Sequence, residues 1–295
     1  MAVLAAPKKP LRSRPRRKAE LPIPPGRVLA FDSGIGGLAV VQALRTTLPE
    51  DTRIDYLADN ALFPYGEQED SLLVTRLLSL MEERIARLRP DVVMIACNTA
   101  STIALDALRA RFDVPFVGCV PPVRWAARVS QTRVFGLLST RGTARRPYLR
   151  SLRDSYAADC EMIVHGARAL ADLAEQAFLG RPVDDSMVAE ELRHLFEAPM
   201  GRQIDTIGLG CTHYTFLADA FLRLSPPNIS FLDPAVPVAQ QVNRILEMRT
   251  VPPEREDLPE SLTLTGPATD SAALRQAVAR LGYHDITVLN SALVP

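Results

Sequence analysis

The chain has 295 residues, 47% of them hydrophobic and 23% charged, with 34 basic and 34 acidic residues balancing to a formal net charge of zero. This is the composition of a folded globular protein, long enough for two domains at roughly 100 to 200 residues each, and no uninterrupted apolar run reaches the roughly 18 residues that a membrane helix needs. The only lysines are Lys8, Lys9 and Lys18, all near the N-terminus, which excludes pyridoxal phosphate chemistry because that cofactor needs a lysine fixed in the active site for its Schiff base.

Those lysines share residues 1–25 with Arg12, Arg14, Arg16, Arg17 and several prolines. The segment has no apolar stretch of the secretory kind, and it is expected to be a disordered basic tail. Its function is either electrostatic attachment to nucleic acid or an acidic partner, or none beyond solvation. The tail takes seven basic residues and one acidic one, so the body carries 27 against 33, a net −6. Nothing in the body suggests a nucleic-acid surface.

From residue 27 onward, short apolar runs alternate with longer amphipathic ones, the pattern of an α/β protein with mainly parallel strands. Strands are expected at 28–32, 54–59, 92–97, 115–119, 134–139, 161–165, 206–211, 229–233, 262–266 and 286–290. Helices fill most gaps, among them 70–88, 101–111 and 271–281. After the first strand comes Asp32-Ser33-Gly34-Ile35-Gly36-Gly37-Leu38-Ala39, a formal match to the dinucleotide-binding GxGxxA. Asp32 argues against that reading, because its carboxylate would crowd a pyrophosphate at the helix N-terminus, whereas a substrate ammonium suits it. The segment 58–68, ADNALFPYGEQ, is a loop in which Pro64 and Gly66 permit a tight fold and Tyr65 is placed to wall a cleft, or it is a plain surface turn.

Two segments share one design. DVVMIACNTAST at 91–102 and IDTIGLGCTHYTF at 204–216 are apolar runs that break at a cysteine followed at once by small polar residues. Cys97 and Cys211 therefore sit at the ends of buried strands, where ligands of such sheets bind. Both can be ordinary core cysteines. Alternatively, two facing thiols, with a reference pKa of about 8.5 that nearby donors can lower, can remove a proton from one face of a carbon centre and return it on the other. Cys119 and Cys160 lack the polar followers and are read as structural, and His165, His194 and His284 receive no role. The four cysteines form no CxxC pair and no zinc-ligand spacing, which fits reduced thiols in the cytoplasm and no metal. Proline-rich stretches at 114–122 and 224–237 read as crossings between lobes, giving a first lobe of 26–120 plus 232–295 and a second of 121–231, with the two cysteines facing one cleft.

DSGIGGL at 32–38, PYG at 64–66, ACNTAST at 96–102 and GCTHY at 210–214, in this order along most of the chain, closely resemble the signatures of bacterial glutamate racemase. YLADNALFPYGE and CEMIVHGARALADLAEQAFLG resemble the proteobacterial branch, which is activated by UDP-MurNAc-L-alanine. The resemblance implies cofactor-independent, two-base racemisation of glutamate that supplies D-glutamate for peptidoglycan. It implies that Cys97 exchanges the Cα proton on the D face and Cys211 on the L face, that Asp32 assists Cys97, and that His213 assists Cys211. Asp32, Ser33, Tyr65, Gly66, Asn98, Thr99, Thr212 and His213 are implied to bind substrate, and the protein to form a homodimer. Where many relatives carry a PLVE glutamate, either Asp172 or Glu175 is the substitute in this chain, and Thr215 stands in place of a proline. The alternatives are a racemase of aspartate or another acidic amino acid, and a protein that binds DNA gyrase, as some glutamate racemases do, through the basic tail.

Overall fold

The computed structural model describes residues 25–249, 254–268 and 270–289, so the expected tail lies outside the described residues except for Pro25. Its first sheet begins with β1 (Arg27–Asp32), followed by α1 (Leu38–Thr47), β2 (Arg53–Ala58), α2 (Asp70–Leu88), β3 (Val92–Ile95), α3 (Asn98–Arg111) and β4 (Phe116–Gly118). Every residue of β1 and β3 is buried, as expected for parallel strands covered on both faces. Alternate residues serve opposite cores: Val28 and Ala30 pack with α1, while Leu29 and Phe31 pack with Leu73, Leu77 and Leu80 of α2.

The chain then crosses to a second unit through α4 (Val123–Val129), β5 (Val134–Thr140), α5 (Arg141–Arg145), α6 (Pro147–Tyr156), β6 (Glu161–Ala167), α7 (Leu170–Phe178), α8 (Asp185–Phe196), β7 (Thr206–Gly210), α9 (Ala218–Leu224) and β8 (Ser230–Leu232). It returns with α10 (Ala235–Glu247), which packs on α1, and ends with β9 (Leu262–Leu264), α11 (Ser271–Ala279) and β10 (Ile286–Val288). Each expected strand has a counterpart. The first sheet has the order β10-β9-β2-β1-β3-β4 and the second β6-β5-β7-β8. All strand pairs are parallel, confirming the α/β class.

The two sheets repeat one topology. Order β2-β1-β3-β4 in the first corresponds strand for strand to β6-β5-β7-β8 in the second. In each, the chain leaves the first strand of the unit toward one edge and returns on its other side, which puts a topological switch point between β1 and β3 and another between β5 and β7. Such points open a crevice beyond the carboxyl ends of the strands. Among the described residues, no helix is long and apolar enough to cross a membrane.

Candidate active site

Cys97 follows β3 and Cys211 follows β7, the equivalent strands of the two units. Helix α3 starts at Asn98, three residues earlier than its sequence suggests, so Cys97 is its N-cap and its sulfur accepts the Ala100 N–H at 3.4 Å. Asn, Thr and Ser are weak helix formers, which hides the start. They are also the residues that suit a helix's first turn, where backbone donors lack partners. Cys211 opens a 3-10 turn over Thr212–Leu217.

Both sulfurs line one small cavity of about 20 Å³, together with Ser33, Tyr65, Gly66, Asn98, Thr99, Thr212 and His213. That is room for about one water molecule, so the walls must part to admit a larger ligand. Of the residues singled out from sequence, Asp32, Asp172 and Glu175 are missing from the wall. The fully buried carboxylate of Asp32 sits behind the cysteine side of it, accepting the Gly34 N–H at 2.8 Å and the Thr212 hydroxyl at 2.9 Å. Since Thr212 belongs to the second unit, Asp32 ties the units together beneath the site.

Cys97 Sγ lies 3.6 Å from Ser33 Oγ. The sequence reading that nearby donors can lower a thiol pKa does not hold for Cys97. Burial, reinforced by the charge of Asp32, pushes it up to about 12, and the Ala100 and Ser33 bonds offset only part of that. Cys211 has a different companion: its sulfur lies 3.9 Å from His213 Nδ1, and His213 Nε2 lies 3.3 Å from Glu175 Oε1. Burial alone would depress His213. The bonds to Cys211 and Glu175 and the charges of Cys211 and Asp32 more than offset it, so the imidazolium persists well above its usual range. Of the two acidic candidates, Glu175 reaches His213. Asp172, one turn earlier on α7, has its carboxyl pKa raised by partial burial and by the charge of Glu175.

Tyr65 is buried and its hydroxyl donates to Asp59 at 2.7 Å. Asp59 also takes the Arg76 guanidinium and the Thr265 hydroxyl, so the 58–68 loop is a braced wall rather than a plain surface turn. Asn98 Nδ2 is buried with no protein partner, a donor left for a ligand in a residue that lines the cavity. Sequence reading missed Phe63, Thr140 and Ala171, which complete the wall with Pro64. Thr140 and Thr143 bond Thr99 across the units at 3.4 and 3.2 Å. The available signal was Thr140 at the end of an apolar strand, where its side chain caps α5.

Glycines mark where the units touch. A Cβ on Gly36 would lie 2.2 Å from His213 Nδ1, and one on Gly142 would lie 2.4 Å from the Gly66 carbonyl oxygen. The GxGxxA match is thereby explained without a nucleotide: His213 occupies the space beside its second glycine. Among the described residues, no group of three or more His, Cys, Asp or Glu side chains is placed to hold a metal ion.

Residues 38–242 match the family model for Asp/Glu/hydantoin racemase. The chain is 47% identical over 263 residues to glutamate racemase of Granulibacter bethesdensis, covering 87% of this chain and 94% of that protein. It is 39% identical over 271 residues to glutamate racemase of Brucella anthropi, covering 92% and 95%. Its fold is similar to that of Escherichia coli glutamate racemase, solved with L-glutamate and the activator UDP-MurNAc-Ala, at a TM-score of 0.83 and 32% identity over 90% of this chain and 98% of that one.

Proposed function

The chain belongs to the glutamate racemases of the Asp/Glu/hydantoin racemase family, and we propose that it interconverts L- and D-glutamate with Cys97 and Cys211 as the two acid–base groups, without a cofactor. The observation that carries this reading is that two thiols, delivered by equivalent strands of two repeated units, line one closed cavity. Their surroundings are complementary. Cys97 is held as a thiol, the form that gives a proton, while His213, held as an imidazolium, lies 3.9 Å from the Cys211 sulfur as a cationic partner for the group that takes one. In the L-to-D direction, the Cys211 thiolate removes the Cα proton, and the electron pair left on Cα delocalises into the adjoining carboxylate. The Cys97 thiol then delivers its own proton to the opposite face. The reverse direction exchanges the roles.

The carboxylate is the only electron sink in this scheme and already carries a negative charge, so fixed donors must stabilise the charge that develops on it. Asn98 Nδ2 and the hydroxyls of Ser33, Thr99 and Thr212 are proposed to hold the substrate carboxylates, with the Tyr65–Gly66 wall closing around them. Asp32 acts behind the wall, keeping Cys97 protonated through its charge and anchoring Thr212. We read 26–120 plus 232–295 and 121–231 as two lobes that open and close on glutamate about the crossings after β4 and β8. The product serves peptidoglycan synthesis in the cytoplasm.

UDP-MurNAc-L-alanine, the activator seen on the Escherichia coli relative, is proposed to activate this chain as well. A groove of about 570 Å³ beside the two crossings has suitable chemistry. Trp125, Tyr148 and Tyr156 offer partly exposed rings for a base, and Arg124 and Arg128 offer charge for a diphosphate. Arg124→Ala and Arg128→Ala should each raise the activator concentration for half-maximal rate about tenfold, equivalent to about 1.4 kcal/mol. Unchanged activation in both variants would place the activator elsewhere.

The basic tail is proposed as the site of a gyrase contact, and homodimerisation as the assembly state. Circular dichroism of L-glutamate incubated with the protein tests the main reading. Loss of optical activity in the wild type but not in Cys97→Ala or Cys211→Ala supports it, whereas racemisation surviving in either variant contradicts it. Faster racemisation of aspartate than of glutamate would instead favour the neighbouring substrate.

A further inference from the structure

Helix α7 is short and supplies the site with two groups one turn apart, Ala171 in the cavity wall and Glu175 on His213. Its far end is fixed by packing, since Phe178 lies 4.9 Å from Phe216 of the turn that follows Cys211. Its near end is fixed differently. Ala169, the N-cap residue, offers no side-chain hydrogen bond. In its place, Glu191 Oε1, reaching over from α8, accepts the N–H groups of Arg168 and Ala169, each at 2.9 Å. The other oxygen, Oε2, meets His165 Nε2 of β6 at 2.5 Å, and the His165 ring is stacked on His194 at 4.6 Å.

Glu191 is 8% exposed, on a helix face otherwise buried through Val188, Leu192 and Leu195. An apolar side chain would satisfy the packing there, so the carboxylate is kept in spite of its desolvation. Three donors use both of its oxygens and hold its pKa down to about 2 against the effect of burial. His165 faces it from β6, His194 and Glu190 adjoin on its own helix, and the Tyr214 phenol lies in its field from the turn that follows Cys211. The carboxylate binds nothing in the cavity; what it holds is the first turn of the helix that does.

We infer that Glu191 is a positioning residue for the second acid–base pair: by gripping the N-terminus of α7 it fixes Glu175 against His213. This rests on the reading in which His213 serves Cys211. A side chain at Glu175 lies six residues, about 9 Å of helix, beyond the grip. A tilt or slip of α7 at its first turn therefore lengthens the 3.3 Å contact to His213 directly.

A double-mutant cycle tests it. Glu175→Gln alone should lower kcat/KM about tenfold or more and move the alkaline limb of the pH–rate profile to lower pH, because it removes a bond that favours the imidazolium. Glu191→Gln should lower kcat/KM about tenfold with a shift in the same direction. On the Glu175→Gln background it should change kcat/KM by less than about twofold, because the route through which it acts is already cut. Glu191→Asp, which keeps the charge, should return the limb toward the wild-type position. Effects that multiply, or a Glu191→Gln loss with an unmoved limb, would reduce Glu191 to a structural cap and overturn the inference while leaving the His213 reading intact. A Glu175→Gln variant with wild-type kcat/KM and pH profile would overturn both.

Discussion

Cys97 and Cys211 occupy matching positions in two matching units, and the difference between them lies in their nearest charges. Cys97 has the Asp32 carboxylate behind it and stays a thiol, whereas Cys211 has His213. Replacing either sulfur by oxygen substitutes a far weaker acid whose basic form, the alkoxide, is scarcely populated near neutral pH, so Cys97→Ser and Cys211→Ser should each lose at least about 10³-fold in kcat/KM. L- and D-glutamate have equal free energy, so the loss must be equal in both directions, which polarimetry from each pure enantiomer checks. His213 also links activity to stability. Its folded pKa is raised, so its stabilising contribution is complete below the unfolded value near 6.5 and is lost as pH rises through the folded value. His213→Gln should therefore melt at a lower temperature than wild type at pH 6, with the gap narrowing in alkaline buffer. A constant gap from pH 6 to 10 would mean that the imidazolium contributes no stability. The two cysteines were legible in the sequence, as apolar runs that end in a thiol, and His213 through the family resemblance of GCTHY at 210–214. Glu175 was visible only as one of two carboxylates, since its facing depends on how α7 is seated.

At the scale of elements, the site depends on how closely the two units approach. Gly142 of α5 meets the Gly66 carbonyl with no room for a side chain, and the Arg146–Asp70 ion pair at 2.5 Å and the Arg141–Glu67 pair at 3.2 Å flank the contact. Gly142→Ala puts a methyl group against backbone oxygen, not against a yielding side chain. It should lower kcat/KM by about 10- to 100-fold while leaving the melting temperature within a few degrees, because each unit keeps its own core. A large fall in melting temperature with kcat/KM preserved would locate the role of Gly142 in folding. Strand positions were legible because parallel strands covered on both faces read as apolar runs, as β1 and β3 do. The start of α3 and the cross-unit threonines were not. Helix propensity is weak at Asn98–Thr102, and the Thr99–Thr143 bond joins residues 44 apart that only the docking of two sheets brings together.

On the scale of the molecule, the repeated order β2-β1-β3-β4 and β6-β5-β7-β8 explains why two cysteine segments share one design: each closes the equivalent strand at its unit's switch point. Facing the two switch points toward each other gives one cavity with a thiol from each side, which is what inversion at a carbon requires. The basic tail lies outside the described residues apart from Pro25. Deleting residues 1–20 should leave kcat/KM for glutamate within about twofold of the full chain, a change of about 0.4 kcal/mol in barrier. A larger loss would give the tail a place in turnover. The central claim is tested most directly by racemising L-glutamate in D2O and following the Cα hydrogen of both enantiomers by NMR and mass spectrometry at early conversion. Two thiols on opposite faces predict D-glutamate fully deuterated at Cα while the remaining L-glutamate keeps its protium. Protium retained in the product, or deuterium appearing in substrate and product alike from the outset, would mean that one group serves both faces and would contradict the account.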